Sequence, residues 1–527
     1  MMTALALALL LDTDPPEAVK KSIANLVGSN FSVSTSAPKR DTVPAVAYNS
    51  VDNEWLVIWE HWYDDQPLDR DIRARRISST GSLLGSEVII VQLSRDETTP
   101  RVAHSPTSNR YMIVWVDEGK DVKAKIVDNL GAQVVAPFFV DAFVPGTSTD
   151  AEIVWRQTQD DFFVTWSETR TGGGNYDLFG SLFNTDGTIK RDNILLRDVT
   201  TANLRRSALS YHPSRDEYMM VYDNGADIFG FRIDGGVVYQ LSDIALVSNS
   251  TGTQVDAAIA LGGSDYLVAW EDNRNGNYDI FARKVTELGV VSGDAIAVRN
   301  SSNVEDNAAI AYGSGAFVVA WEEQTANGDW DIYARAVGPT LALGAIDRVS
   351  QPTQNPDTET SNEYNPAVAL NTSTGEYLLT WQDGRSGVFD VWAQRATYAD
   401  PSVPATPTNF GHSGNTSTSV TWTWTDTSSN ETGFRIETDS HATVTTTAAN
   451  ATSYSEGSLT ENAAYSRHVH AVNASGDSPA SSTAAAYTSV HDPTISAFSL
   501  TVVSSTQINV PVTAPPNSPL GSTGVAV

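Results

Sequence analysis

The stretch Asp265-Tyr266-Leu267-Val268-Ala269-Trp270, followed by Glu271-Asp272-Asn273-Arg274-Asn275-Gly276-Asn277-Tyr278 and then Asp279-Ile280-Phe281-Ala282-Arg283, decides the fold. Two apolar runs of strand length enclose a polar loop rich in Gly and Asn, which is the pattern of a β-hairpin with a long connection. Close copies recur at 54–75, 317–335 and 376–395, and looser ones at 110–125, 161–181 and 217–231.

Aligning the copies on the aromatic that closes the first run gives Trp59, Trp115, Trp166, Tyr222, Trp270, Trp321 and Trp381, spaced 48 to 60 residues apart. That is the range of a four-stranded propeller blade. Aligning them on the acid that opens the second run gives Asp71, Asp121, Asp177, Asp227, Asp279, Asp331 and Asp390. Seven copies carry both marks and predict seven blades. Each blade starts with a short strand rich in small residues, such as Ala257-Ala258-Ile259-Ala260, suited to the crowded axis. The second strand is apolar on both alternating faces because neighbouring blades cover both.

The segment Asn30-Phe31-Ser32-Val33-Ser34-Thr35 matches the last strand of other repeats, whereas the seventh repeat lacks one. The early strand is therefore expected to complete the final blade and remove the open sheet edges. Residues 1–29 read as a flexible lead-in or signal remnant with one weak helical segment, Glu17 to Leu26. The propeller is expected over 30–399, followed by a linker at 400–404.

From Ala405 to Ser489 the composition shifts to Thr, Ser, Asn and Ala. The order Val420-Thr421-Trp422-Thr423-Trp424, Gly433-Phe434-Arg435-Ile436, Leu459, Tyr465 and Asn473-Ala474-Ser475-Gly476 resembles a fibronectin type III domain. The resemblance makes Trp422 a core residue and Tyr465 the corner tyrosine of a β-sandwich. Residues 490–527 resemble the opening strands of a second such domain, which implies a longer modular chain. The repeat phrase Ala269-Trp270-Glu271-Asp272-Asn273-Arg274 through Phe281 resembles propeller repeats of bacterial and archaeal cell-surface and secreted proteins. That resemblance implies an extracellular or cell-surface location, and it is specific for fold rather than activity.

Acidic residues outnumber basic ones 63 to 33 in a chain of 527 residues, for a formal charge of −30. Such a surface repels nucleic acid, whose phosphates need clustered Lys and Arg. No apolar run reaches the length of a membrane span, so no membrane insertion is expected. Cysteine is absent, which excludes thiolate metal sites, a cysteine nucleophile and disulfides.

The repeated Asp residues read as structural pegs accepting backbone N–H groups of their own loops, since a fold needs the same residue in every blade. The loops between second and third strands differ from blade to blade, and function is expected there. Candidate ligand-binding residues are Trp62, Tyr63, Asp65, Tyr176, Asp272, Tyr278, Glu322 and Trp330, aromatics and acids of the kind that stack on sugar rings and bind their hydroxyls. The competing reading packs the rings against the next blade. No cofactor is expected; calcium is the alternative, on the hard oxygens of Asp272, Asn273, Asn275 and Asp279.

No catalytic residue is assigned. Carboxylate pairs could be drawn from Asp64, Asp65, Glu168, Glu322 and Glu323, but acids are too frequent here for such clusters to be specific. His104 and His212 read as turn residues on the opposite face. No nucleophile elbow, zinc-protease helix or phosphate loop occurs, and the Asp-box and arginine set of a sialidase is not visible. The leading expectation is a non-catalytic binding protein for a glycan or surface protein. A polysaccharide-degrading hydrolase or lyase is the alternative.

Overall fold

The computed structural model describes residues 25–490 apart from 35–39, 64–65, 142–145, 170–173, 200, 237–238, 245–246, 249, 351–360, 399–402, 429 and 474–475, together with 501–504 and 507–509. Among the described residues every regular element is a β-strand. None is a helix that could cross a membrane. The chain divides into two compact units, Met1–Pro401 and Ser402–Val527.

The first unit contains seven antiparallel sheets of four strands, each running in order from an innermost strand outward. The innermost strands are Arg40–Asn49, Glu97–Ser105, Ser148–Arg156, Arg205–His212, Gln254–Gly262, Glu305–Gly313 and Glu363–Leu370. Blade five continues through Asp265–Asp272, Asp279–Val285 and Val291–Arg299. Its second strand is buried on both faces, as its sequence demands. Tyr266, Val268 and Trp270 pack on Met219, Val221 and Ile228 of blade four. Leu267 and Ala269 pack on Phe317, Val319 and Trp321 of blade six. All six repeated Trp residues are fully buried. Each removes roughly 150–250 Å² from water, worth about 4–6 kcal/mol by area.

Blade seven is completed by Asn25–Ser32, which pairs antiparallel with Asp390–Thr397. The tie continues beyond that strand: Val33 N and Ser34 N donate to Val391 O at 2.7 and 3.3 Å, and Val391 N donates to Ser34 Oγ at 2.9 Å. Blade six closes the same way, with Val349 N and Ser350 N on Ile332 O at 2.7 and 3.3 Å, and Ile332 N on Ser350 Oγ at 2.9 Å. The early segment is therefore a true fourth strand that lies at the other end of the chain. Val33 joins Trp55, Val57 and Trp59 of blade one with Leu378, Val391 and Ala393 of blade seven in one core.

The closing strand starts five residues earlier than the sequence suggests. Leu26, assigned to a helical segment in the sequence reading, lies instead in the strand and packs beside Tyr377 and Trp381. A register shift between Val27 and Phe31, with Gly28 at φ 75°, absorbs the extra length. Burial of Leu26 outweighs a weak local helical preference. The rest of that segment, Glu17 to Ile23 and Ala24, lies outside the described residues.

The second unit is a sandwich. One sheet joins Thr408–Ser413, Val420–Thr425 and Ser453–Glu456; the other joins Thr443–Thr446, Gly433–Thr438, Ala464–Asn473 and Gly476–Asp477, with Ala484–Tyr487 also on Ala464–Asn473. Trp422 is fully buried and stacks on Phe410 at 5.7 Å. Tyr465 Oη accepts Thr460 N at 2.8 Å, the corner contact expected from the sequence. Thr501–Ser504 and Gln507–Asn509 form a separate hairpin.

Candidate functional site

Each innermost strand breaks register once, and at each break one non-glycine residue adopts the left-handed conformation: Val43, Thr99, Asp150, Arg206, Asp256, Asn307 and Asn365, with φ between 49° and 54°. Such bulges re-aim side chains and strain the backbone, at about 1–2 kcal/mol for each residue with a Cβ. The strain is held by latches from the preceding blade. Val43 N donates to Gln382 Oε1 at 3.1 Å, Thr99 N to Glu60 Oε1 at 2.8 Å, Asn307 N to Glu271 Oε1 at 2.8 Å and Asn365 N to Glu322 Oε2 at 2.6 Å. The acceptor in each case is the residue directly after the repeated Trp. Gln382 to Val43 thus ties the last blade to the first.

The seven bulge residues ring an axial cavity of about 520 Å³ whose deeper wall is the small-residue strands. At one side of its mouth lies a second cavity of about 620 Å³, bounded by Asn203, Arg205, Asp223, Tyr278, Asp306 and Asn307, with Arg206, Asp256 and Glu271 between them. Arg206 is the central cation: its Nε lies 3.0 Å from Asp256 Oδ1 and its Nη1 3.8 Å from Asp223 Oδ2. Burial raises Asp256 to about 6 against the pull of Arg206. Burial, reinforced by Asp256 and Asp306, pushes Glu271 up to about 10. Glu271 therefore keeps its proton at neutral pH and shares a hydrogen bond with Asp306.

The expected loop residues mostly serve the frame. Trp62 donates its Nε1 to Thr42 Oγ1 at 2.8 Å and carries the Arg70 guanidinium over its ring at 4.6 Å. Tyr63 donates to Asp71 at 2.6 Å. Tyr176 lies under Arg205 of the next blade at 4.7 Å, and Trp330 packs on Tyr364 of the next blade at 5.8 Å. Asp272 is fully buried and accepts Trp270 Nε1 at 3.0 Å and Arg274 Nε at 2.9 Å. Glu322 is a latch, and burial raises it to about 7. Asp65, with Asp64, lies outside the described residues. Of the seven that are described, only Tyr278 lines the axial mouth. The calcium set is internally engaged: Asn273 Oδ1 accepts Thr253 N at 2.6 Å, and Asn275 Nδ2 donates to Asp279 at 2.7 Å.

The repeated acids form two populations. Asp71, Asp279, Asp331 and Asp390 are buried, whereas Asp121, Asp177 and Asp227 are half-buried. The buried four are those facing an acid at the start of the next blade: Glu97, Glu305, Glu363 and Asp41. Asp279 is hydrogen-bonded to Glu305, and Asp331 to Glu363. Burial, with the neighbouring acids, lifts Glu97 and Glu305 to about 8 and Glu363 to about 9. Own-loop partners also occur, but they are side chains: Tyr63 for Asp71, Asn275 for Asp279, Ser386 Oγ for Asp390. The pegs thus join adjacent blades rather than only closing their own hairpins, because a buried carboxyl group needs more partners than one loop supplies.

Sequence reading missed the axial ring. Its residues range from Val to Arg, so neither residue type nor Gly marks the bulges. Their constant position two residues after Asp41, Glu97, Ser148, Leu204, Gln254, Glu305 and Glu363 is the one signal present.

The fold and site define a seven-bladed β-propeller joined to a fibronectin type III domain. The fibronectin type III family model matches residues 405–487. No curated protein matches the sequence. Among solved structures, a Dyadobacter fermentans protein of unknown function is similar at 7% identity and a TM-score of 0.46, over 71% of this chain and 99% of that one. The endosialidase of phage phi92 is similar at 8% identity and 0.46, over 75% and 72%. An α-L-arabinofuranosidase of Podospora anserina gives 10% identity and 0.32, over 50% and 95%.

Proposed function

We propose that the chain is a non-catalytic carbohydrate-binding protein acting at or beyond the cell surface, in which a rigid disc offers its axial mouth to a sugar and the sandwich acts as a spacer. The observation that carries this reading is the asymmetry of the bulge ring. A residue needed only by the fold would stay nearly constant, as the aromatic that closes the second strand does, Trp in six blades and Tyr222 in the fourth. The bulge positions instead run Val43, Thr99, Asp150, Arg206, Asp256, Asn307 and Asn365. On one side they surround a polar cavity that combines the aromatic Tyr278, the amides of Asn203 and Asn307, the guanidinium of Arg205 and several carboxyl groups. That mixture suits hydroxyl-rich ligands, with stacking for the C–H face and charged hydrogen bonds for the hydroxyls.

The rival hydrolase reading would use Glu271 as the protonated acid. Its nearest carboxyl partner, Asp306, is hydrogen-bonded to it. Glycosidase pairs stand about 5–9.5 Å apart to admit the sugar or a water, so this pair is too close. The test is a glycan array with the full chain, with and without chelator, paired with a reducing-end assay. Saturable binding without product is expected, weakened about tenfold by Tyr278→Ala or Asn203→Ala. Release of reducing ends would replace this reading with the hydrolase. Binding indifferent to both substitutions would remove the axial mouth as its site.

A further inference from the structure

Three of the eight histidines of the chain converge on one carboxylate in the sandwich. His468 and His470 alternate along Ala464–Asn473 and so share its outer face, while Val469 and Ala471 between and beyond them enter the core. Glu437 stands directly across from His468 on Gly433–Thr438. The tight turn after that strand, closed by His441 N on Thr438 O at 2.8 Å, brings His441 over the same spot with φ 61°.

Glu437 Oε2 lies 3.3 Å from His441 Nδ1, 3.5 Å from His468 Nε2 and 3.7 Å from His470 Nε2, and all four donor atoms fall within 4.8 Å of one another. A tetrahedral zinc ion with bonds of about 2.0–2.1 Å needs donors about 3.3 Å apart, so a small contraction would complete the shell.

Two further features point to a cation rather than to a surface hydrogen-bond cluster. The Nε2 atoms of His468 and His470 are buried without a hydrogen-bond partner, and the His468 side chain is 5% exposed. The outer contacts are set as a ligand shell requires. His470 Nδ1 donates to Ser478 O at 2.8 Å, which leaves Nε2 as the lone-pair nitrogen. Arg435 Nε holds Glu437 Oε1 at 2.6 Å and leaves Oε2 to the histidines; the other end of Arg435 is paired with Asp477. His441 is mostly exposed and gives the ion a path in.

We propose that Glu437, His441, His468 and His470 form a binding site for a divalent transition metal of the zinc class. Imidazole nitrogens with a single carboxylate select such ions over calcium and magnesium, which take oxygen shells. Four protein donors leave no open position, so the site is structural: it staples the hairpin turn to the strand Ala464–Asn473.

The test is zinc titration of the full, metal-free chain by calorimetry, with bound metal counted by elemental analysis and coordination read from the visible bands of the cobalt form. One ion per chain with tetrahedral cobalt bands is expected. His468→Gln with His470→Gln should weaken binding by at least about 100-fold, and His441→Ala, on an exposed turn, by about tenfold. His412→Gln, in the same unit but outside the cluster, should leave binding unchanged. Absence of zinc binding, equal affinity in the double variant, or binding of calcium in its place would overturn the site. Retention of full affinity by His441→Ala would reduce it to three donors and refute the closed shell.

Discussion

Raising the pH from about 6 to about 9 should loosen the propeller through the buried carboxyl pairs between blades. Glu305 and Glu363 are lifted from 4.5 to about 8 and about 9 by burial and their acidic neighbours, and each is hydrogen-bonded to the repeated Asp of the blade before it. In the unfolded chain both would release their protons near the ordinary value. Their contribution is therefore complete below about pH 4.5 and is lost as the pH climbs through 8 and 9. Each pH unit below the folded value removes about 1.4 kcal/mol, so from pH 6 Glu305 loses about 3 kcal/mol and Glu363 about 4 kcal/mol.

Unfolding entropy of about 2 cal/mol/K per residue over roughly 370 residues converts 7 kcal/mol into a fall of about 9 °C in the midpoint. The assay is thermal unfolding of the full chain across that range, wild type against Glu305→Gln with Glu363→Gln. Glutamine keeps a donor for Asp279 and Asp331 but has no proton to lose, so the double variant should lose close to half of the pH slope, the remainder belonging to Glu97, Glu271 and Glu322. A wild-type midpoint that is flat from pH 6 to 9, or an unchanged slope in the variant, would refute the shared-proton account.

Two other substitutions test the frame. Val33→Asp places a charge without a partner in the core between blades seven and one; it should cost at least about 4 kcal/mol and make the chain sensitive to limited proteolysis near the closing strand. Tyr465→Phe deletes the acceptor of Thr460 N and should cost the sandwich about 1–3 kcal/mol, read as a lower midpoint for that transition in calorimetry while the propeller transition stays in place.

The blade count was legible because the repeat is local: an aromatic closes the second strand and an Asp opens the third within 5 to 12 residues in every copy, as Trp270 and Asp279 do at nine. Ring closure was legible because Val33-Ser34 copies Val349-Ser350, and identical residues make identical bonds to Val391 and Ile332. The partners of the repeated acids were not. Asp279 and Glu305 are 26 residues apart, and nothing in the sequence separates a buried acid from the many exposed ones. Only the topology, which lays the start of each blade against the hairpin of the one before, creates the pair.

The axial bulges show the same limit from the side of backbone conformation. Val43 is a poor residue for φ 49°, and local preference would never place it there. It is held by Gln382, 339 positions away in sequence, and by the seven-fold symmetry that repeats the bulge in every blade. Once the fold imposes the conformation, the side chain at that position is free to vary. Structure is therefore carried by the backbone N–H of the bulge and its latch, and the side chain is released from that task. This separation explains how residues as unlike as Val43, Arg206 and Asn307 occupy one structural position around the axial cavity.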